Sequence, residues 1–450
     1  MVFQDWLEES KKKTLKMDCA SMTLTQCATD DPIRISGMGS VFQDEDGKLK
    51  FKMFVGKFPD IRAIDPFLRY STSKPGKILG ESHYYDFEGV SFRNDRWKAT
   101  RIDIDVSIID SDVMVEGEIH SLAFEHNIPT ESYYVELHYF ENLGVPTTKM
   151  SRYETPSGVN RVRDTHEFKA QGWKWTAVQH EDELIISAES ETPFPPKFAQ
   201  RVQEALCYVS GKRVTWDART EVRGNLVRNE LSWDQIELPG RSARPPVPGL
   251  HPLHADFYWD LFGKYLSYVI STNSNFDWNY STYYIQQMYE ASAGSIDTWA
   301  IGLGVAIEGL CNLIEFETSS QNQDLARLHD KIFELIDGDG SFKPFRQRFE
   351  NMLPGMFNVS SADRLHRLAD KGQVTKKYIK AWKRMRNKSV HPKADLMKVD
   401  VRLDYQALLD AINCSTALMW QVTFVLIGYR GKYTDYGEVS MPLRNYPEGI

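Results

Sequence analysis

Pro239-Gly240-Arg241-Ser242-Ala243-Arg244-Pro245-Pro246-Val247-Pro248-Gly249-Leu250-His251-Pro252 divides a chain of 450 residues into halves of different periodicity. Proline fixes φ and lacks a backbone donor, so this stretch should be extended and irregular. On its N-terminal side apolar residues tend to alternate with polar ones, the strand period; on its C-terminal side they recur at three and four, the helix period. The expected fold class is therefore α+β with two domains. A β-rich, sandwich- or barrel-like domain takes residues 1–240, a proline-rich linker 241–253, and an all-α bundle 254–450.

Upstream, Asp44-Glu45-Asp46-Gly47 stands between Ser40-Val41-Phe42 and Lys48-Leu49-Lys50-Phe51-Lys52-Met53-Phe54. An acidic-glycine turn flanked by alternating residues is a hairpin signature. Further strands are expected at 101–109, 113–124, 133–140, 167–178 and 183–188, and a helix at 196–209 that packs on the β domain. Downstream, helices are expected at 255–271, 283–293, 295–317, 321–337, 342–352, 361–370, 373–390 and 403–428. The stripe Ile296, Ala300, Leu303, Ile307, Leu310 and Ile314 marks the core face of one of them.

The net charge of −8 argues against a general nucleic-acid coat protein, whose surface would be basic throughout. Cys19, Cys27, Cys207, Cys311 and Cys414 are odd in number and never spaced as C-x-x-C, which points away from disulfides and zinc and toward a reducing compartment. The uncharged runs at 298–314 (broken by Glu308) and 411–428 fall short of the ~20 residues that cross a bilayer, so both are expected as core helices. The expected address is the cytoplasm, with no membrane partner.

Against that acidic background, the stretch from Lys371 to Lys393 carries nine basic residues and no acid. Val374, Tyr378, Ala381, Trp382, Met385 and Ser389 form its apolar stripe. Lys380, Lys383, Arg384, Lys388 and Lys393 are the candidate RNA-binding residues, because clustered cations attract a phosphate backbone without reading its sequence. Within the stretch lies Arg386-Asn387-Lys388-Ser389-Val390-His391-Pro392. Pro392 disfavours the α conformation at His391, so the helix should end near Ser389 or Val390, leaving the imidazole free to swing back toward Arg386. An imidazole titrates near neutrality and suits proton transfer, and a guanidinium can grip a phosphate with two donors. Glu308, the one charge in an apolar helix, should be paired or half-exposed, since an unpaired buried charge is costly.

Here the chain resembles the HEPN superfamily, whose nuclease members carry Arg, four to six residues, then His near a helix end, often with Asn after the Arg. Arg161–His166, Arg244–His251 and Arg384–His391 fit the loose spacing too. Only Arg386 combines the Arg-Asn start, an amphipathic helix and a helical domain of suitable size. The resemblance implies metal-independent endoribonuclease activity with Arg386, Asn387, His391 and Glu308 as the catalytic set, no cofactor and no metal. It also implies a homodimer in which two Arg-His motifs share a cleft. A β-rich half joined to such a domain, ending in Ile427-Gly428-Tyr429-Arg430-Gly431-Lys432-Tyr433, is similar to the ApeA-type anti-phage proteins. That likeness implies an abortive-infection effector acting on RNA, transfer RNA included, with a phage-derived trigger sensed by the N-terminal domain. The competing expectation is a non-catalytic HEPN scaffold that binds RNA or protein beside a ligand-sensing β domain.

Other features read more simply. Gly37-x-Gly39 lacks the third glycine and the βαβ setting of a dinucleotide site. His251 and His254 lack a third metal ligand. Asp103 and Asp105 describe the wet face of a strand, and Trp173 and Trp175 a core face rather than an aromatic platform.

Overall fold

Asp44-Glu45-Asp46-Gly47 turns the chain in the computed structural model of the protein. Gly47 adopts φ +88°, its amide donates to Asp44 O at 2.8 Å, and the Asp44 carboxylate accepts from Lys48 N at 2.9 Å. The described residues are 2–28, 30–56, 79–109, 112–155, 158–233, 243–248, 251–272, 278–315, 321–339, 341, 344, 346–348, 359–390 and 401–447. They divide into two units. One comprises Met1–Ala199, Val214–Glu237 and Leu250–Ala255; the other comprises Gln200–Arg213, Leu238–Gly249 and Asp256–Ile450.

The first unit is a large antiparallel sheet with an N-terminal helix, α1 (Val2–Lys11). Its first strands are β1 (Lys16–Gln26), β2 (Arg34–Gln43), β3 (Leu49–Val55), β4 (Tyr85–Ser91), β5 (Arg96–Ile102), β6 (Asp105–Ile109) and β7 (Asp112–Glu118). The rest are β8 (Ser121–Tyr139), β9 (Lys149–Thr155), β10 (Gly158–Ala170), β11 (Trp173–Gln179), β12 (Leu184–Ser190) and β13 (Ala218–Ser232). The order is β6-β7-β3-β2-β1-β4-β5-β8-β12-β11-β10-β9, with β13 paired to β8. Leu49, Phe51, Met53 and Val55 of β3 are buried in turn, as their alternation predicts, and join a core that includes Trp97 with Trp6 set edge-on at 5.7 Å.

Three of the expected strands each prove to be parts of two. The 101–109 run breaks because Arg101 takes φ +56° and Asp103 turns its carboxylate onto Ile104 N at 3.0 Å. The 113–124 run is split between β7 and β8. The 167–178 run turns at Gln171-Gly172, φ +56° and +81°, a two-residue hairpin turn of the type that needs positive φ at both positions. Trp175 is core, 1% exposed, whereas Trp173 is partly covered, edge-on to Phe198 at 4.8 Å.

Strand β13 doubles back on itself. Arg219 and Glu230 would stand about 36 Å apart on a straight strand, yet their side chains pair, with Nε to Oε2 at 3.0 Å. Ser232 N donates to Asp217 O at 2.7 Å and Thr220 Oγ1 to Asn229 Oδ1 at 2.8 Å. The reversal lies at Gly224-Asn225, where Gly224 has φ +66° and the pairing with β8 shifts register. The arms 218–224 and 226–232 thus lie inside the two halves of β8, a hairpin nested in a wider one.

The second unit holds most of α2 (Phe198–Ser210), then α3 (Ala255–Thr272), α4 (Tyr280–Ser292), α5 (Ile296–Asn312), α6 (Gln321–Gly338), α7 (Ser361–Asp370), α8 (Lys376–Val390) and α9 (Val401–Ile427). A short hairpin follows, β14 (Gly431–Thr434) with β15 (Leu443–Tyr446). The helix expected at 342–352 falls largely outside the described residues. Two expectations about packing change. From Gln200 onward α2 belongs here rather than on the β domain: Tyr208 stacks on Tyr265 at 4.1 Å, and buried Glu204 accepts from Asn279 N and Thr282 Oγ1 at 3.2 and 2.5 Å. The proline segment is irregular but not a free linker. Ala243 and Val247 are buried, Pro246 O accepts from Thr434 N at 2.9 Å, and Pro245 O from Tyr436 Oη at 2.7 Å. Within α9, Tyr405–Ile427 reaches 23 residues at hydropathy 1.2, long and apolar enough to cross a membrane, which the shorter uncharged run did not predict. Of its most apolar stretch, 72% is buried within the fold, the pattern of a core helix.

Candidate active site

Helix α5 starts at Ser295, whose hydroxyl accepts from Thr298 N at 3.1 Å, an N-cap. Trp299, Ala300, Leu303, Ala306, Ile307 and Leu310 are buried, and glycines admit the neighbouring α4. A Cβ on Gly302 would lie 2.3 Å from Ala291 Cβ, and one on Gly309 would lie 2.5 Å from the Tyr284 ring. The opposite face carries Ile301 and Val305, both exposed, with Glu308 half-exposed in line after them.

Helix α8 buries Tyr378, Ile379, Trp382 and Met385. Its N-terminal end is fixed from both sides. Gln421 of α9 accepts from Thr375 N at 2.9 Å, and Tyr378 Oη donates to Asp435 Oδ1 at 2.6 Å. Asp435, itself buried, also accepts from Gly437 N at 3.1 Å and pairs with Arg444 at 3.1 Å. Gln421 and Asp435 thus anchor the N-terminal end of α8.

Those turns bring Arg386 to Glu308, and the guanidinium Nε pairs directly with a carboxylate oxygen. The Arg386 side chain is 46% exposed and that of Glu308 29%. A half-exposed ion pair is worth about 0–1 kcal/mol once solvent screening is counted. The fold therefore does not depend on this contact, and both groups remain within reach of a ligand. Asn387 is exposed beside them.

The remaining cations of α8 are not one uniform face. Lys376 pairs with Asp370 at 2.9 Å, Lys377 with Glu438 at 3.1 Å, and Lys383 Nζ lies 3.0 Å from His366 Nε2. Glu438 raises the Lys377 pKa. Lys380 and Arg384 are exposed, with no ion pair among the described residues. Lys388 lies on the helix, but its side chain, together with His391 and Lys393, is outside the described residues.

Three of these residues escaped the sequence reading. Ile379 joins the buried stripe beside Tyr378, whereas Ala381 is only half-buried. Asp435 lies in a turn with no periodicity to mark it. His366 lies on a helix whose limits, 361–370, were legible, but its proximity to Lys383 depends on how α7 packs. Elsewhere, His251 Nδ1 accepts from Leu253 N at 3.2 Å, closing a short 3-10 turn. Among the described residues no three His, Cys, Asp or Glu side chains converge as a metal-holding group. No protein-family model, curated protein or solved structure matches this chain, so the functional reading rests on these side chains alone.

Proposed function

We propose that the helical unit is a HEPN-type bundle acting as a metal-independent endoribonuclease, and that the whole chain is an abortive-infection effector. The observation that carries this reading is the Arg386–Glu308 pair, half-exposed near the C-terminal end of a cationic helix and contributing little to stability. Arg386 holds the scissile phosphate and stabilises charge developing on it. Glu308 keeps the guanidinium turned toward the site until a phosphate competes for it. Asn387 orients the phosphate. His391 exchanges a proton with the 2′-hydroxyl or the leaving 5′-oxygen. The 2′-oxygen bonds to phosphorus, the bond to the 5′-oxygen breaks, and a 2′,3′-cyclic phosphate remains. Lys380 and Arg384, with Lys388 and Lys393, attract the RNA backbone, and two copies of the chain bring two motifs to one cleft. The sandwich- or barrel-like β unit answers a phage-derived trigger, and the reaction takes place in the cytoplasm.

The test compares full-length wild type with Arg386→Ala, His391→Ala and Glu308→Ala on total RNA and transfer RNA, with EDTA present and product ends identified. Cyclic phosphate ends are expected from wild type, with Arg386→Ala and His391→Ala slower by about 100-fold or more. If the wild type cleaves nothing, with or without phage-infected lysate, the nuclease reading falls. The second reading is a non-catalytic scaffold. It is favoured by Lys376 and Lys377 being neutralised by Asp370 and Glu438, which leaves the helix less cationic than its sequence.

A further inference from the structure

Internal attack by a 2′-hydroxyl needs two proton transfers, one from the nucleophile and one to the leaving oxygen. The ribonuclease reading gives His391 a single role. A second imidazole, that of His366, lies on a different helix beside Lys383.

Helix α7 is held by a capping box: the Ser360 hydroxyl accepts from Asp363 N at 3.1 Å and the Asp363 carboxylate accepts from Ser360 N at 3.2 Å. Leu365, Leu368 and Ala369 are buried, which turns His366 outward. Arg364 Nη1 donates to Ile314 O at 2.7 Å, fastening α7 just beyond the C-terminal end of the helix that carries Glu308. On the other side His366 Nε2 meets Lys383 Nζ at 3.0 Å. Lys383 precedes Arg386 by three residues, a spacing that puts two side chains on one face about 5–6 Å apart. Three helices thus deliver a carboxylate, a guanidinium, an ammonium and an imidazole to one neighbourhood.

The carboxylates near His366 are committed elsewhere. Asp363 serves the cap, Asp370 pairs with Lys376, and Glu308 is held by Arg386. Arg367 follows His366 on its own helix, and Lys380 lies one turn before Lys383 on α8. An ammonium can only donate, so in this contact Nε2 is the acceptor. A phosphate held by Arg386 offers Lys383 a stronger partner, and its departure leaves the Nε2 lone pair directed into the site.

We propose that His366 is the general base of this site, taking the proton of the 2′-hydroxyl. The inference rests on the ribonuclease reading above. As the 2′-oxygen bonds to phosphorus and the bond to the 5′-oxygen breaks, the 2′-proton passes to His366 Nε2. The proton for the 5′-oxygen comes from the site's acid, which leaves His391 that role alone. Solvent then restores both groups.

The test uses full-length wild type, His366→Ala, His366→Gln and Arg386→Ala on labelled transfer RNA. Single-turnover rates are followed from about pH 5 to 8, with RNA affinity measured by anisotropy and folding by thermal melting. Both His366 variants should lose about 100-fold or more in rate at unchanged affinity and melting, and the rise of rate with pH on the acid side should disappear. If His366→Ala cleaves at the wild-type rate with the same pH profile, His366 is only a surface contact and the nuclease reading stands without it. Restoration by glutamine, which keeps a bond to Lys383 but cannot accept a proton near neutral pH, would also overturn the inference. So would a parallel loss of affinity and rate in His366→Ala, which would make His366 a phosphate contact. A wild type that never cleaves removes this proposal together with the reading beneath it.

Discussion

His138 shows how much chemistry one residue can hide in an ordinary strand. Its sequence neighbourhood, Tyr133 to Phe140, reads as alternating β structure and no more. In the fold it is 3% exposed, with Nε2 3.0 Å from Glu136 and Nδ1 2.9 Å from Glu183, while Lys11 joins Glu183 at 3.1 Å. Burial opposes the positive charge, but hydrogen bonds to the two carboxylates outweigh it and push the pKa up from 6.5 to about 9. The raised value means that the folded state holds the proton more tightly than the unfolded chain. The stabilisation is complete below about pH 6.5 and disappears as pH rises through about 9, and a shift of that size corresponds to about 3 kcal/mol. Glu136 and Glu183, despite burial, are lowered by the same contacts, so their contribution is present above about pH 4.5 and lost as pH falls below it. Thermal melting should therefore show the β unit losing stability between about pH 7 and 9. In His138→Gln that slope should flatten while the starting stability drops. Parallel curves for wild type and variant would remove His138 from the linkage. The catalytic candidates contrast with it. Glu308 and Arg386 were legible because each breaks a local pattern, a lone acid in an apolar helix and an arginine opening a motif.

At the scale of elements, helices declared themselves and strand boundaries did not. The reading placed α7 to the residue and α3, α6 and α9 within one or two, since long amphipathic runs repeat their signal over several turns. Strands repeat it over a few residues, and their breaks depend on backbone angles that composition marks only weakly. Gln171 at φ +56° gives no warning that glutamine occupies a position usually held by asparagine or glycine. The doubling of β13 at Gly224-Asn225 was equally silent, because charged residues on both sides conceal the alternation. Helix contacts were visible mainly where glycine appears. Gly302 exists in α5 so that Ala291 of α4 can lie against it, and a Cβ there would come within 2.3 Å of Ala291 Cβ. Gly302→Ala gains about 1 kcal/mol of helix propensity. Overpacking of this kind costs about 1–3 kcal/mol, and a contact between two fixed Cβ atoms belongs at the upper end. A net loss is expected in urea unfolding, with stability recovered when Ala291→Gly is added to the same chain. An unaltered midpoint for Gly302→Ala, or no recovery in the double variant, would show that these helices are free to move apart.

At the scale of the molecule, the proline segment suggested two halves, whereas the two compact units of the fold do not divide the chain at one point. Composition could not reveal that the helical unit takes residues from two places, Gln200–Arg213 and the proline segment itself, before its main run begins at Asp256. The borrowed helix is not decoration. Glu204 is fully buried beside buried Arg201, and burial pushes its carboxyl pKa up even though Arg201, Thr282 and the Asn279 amide oppose the shift. Tyr289 Oη donates to Cys207 O at 3.1 Å, and Tyr208 is sealed between Tyr265 and Trp420. Cutting the chain at residue 254, where periodicity draws the line, removes these partners from α3, α4 and α9 and opens an aromatic core. Losing one side of such a buried polar and aromatic contact costs about 3–5 kcal/mol, a large fraction of the 5–15 kcal/mol that holds a domain together. A fragment of residues 254–450 should therefore be poorly soluble or melt without cooperativity. Residues 196–213 joined by a flexible linker to 243–450 should fold with a single transition and helical circular dichroism. If the shorter fragment folds as well as the longer one, α2 is dispensable and the boundary read from the proline segment is the physical one. If only the longer fragment folds, cleavage assays on the isolated helical unit must carry α2. Inactivity of a chain cut at 254 would then report a broken core rather than a missing nuclease.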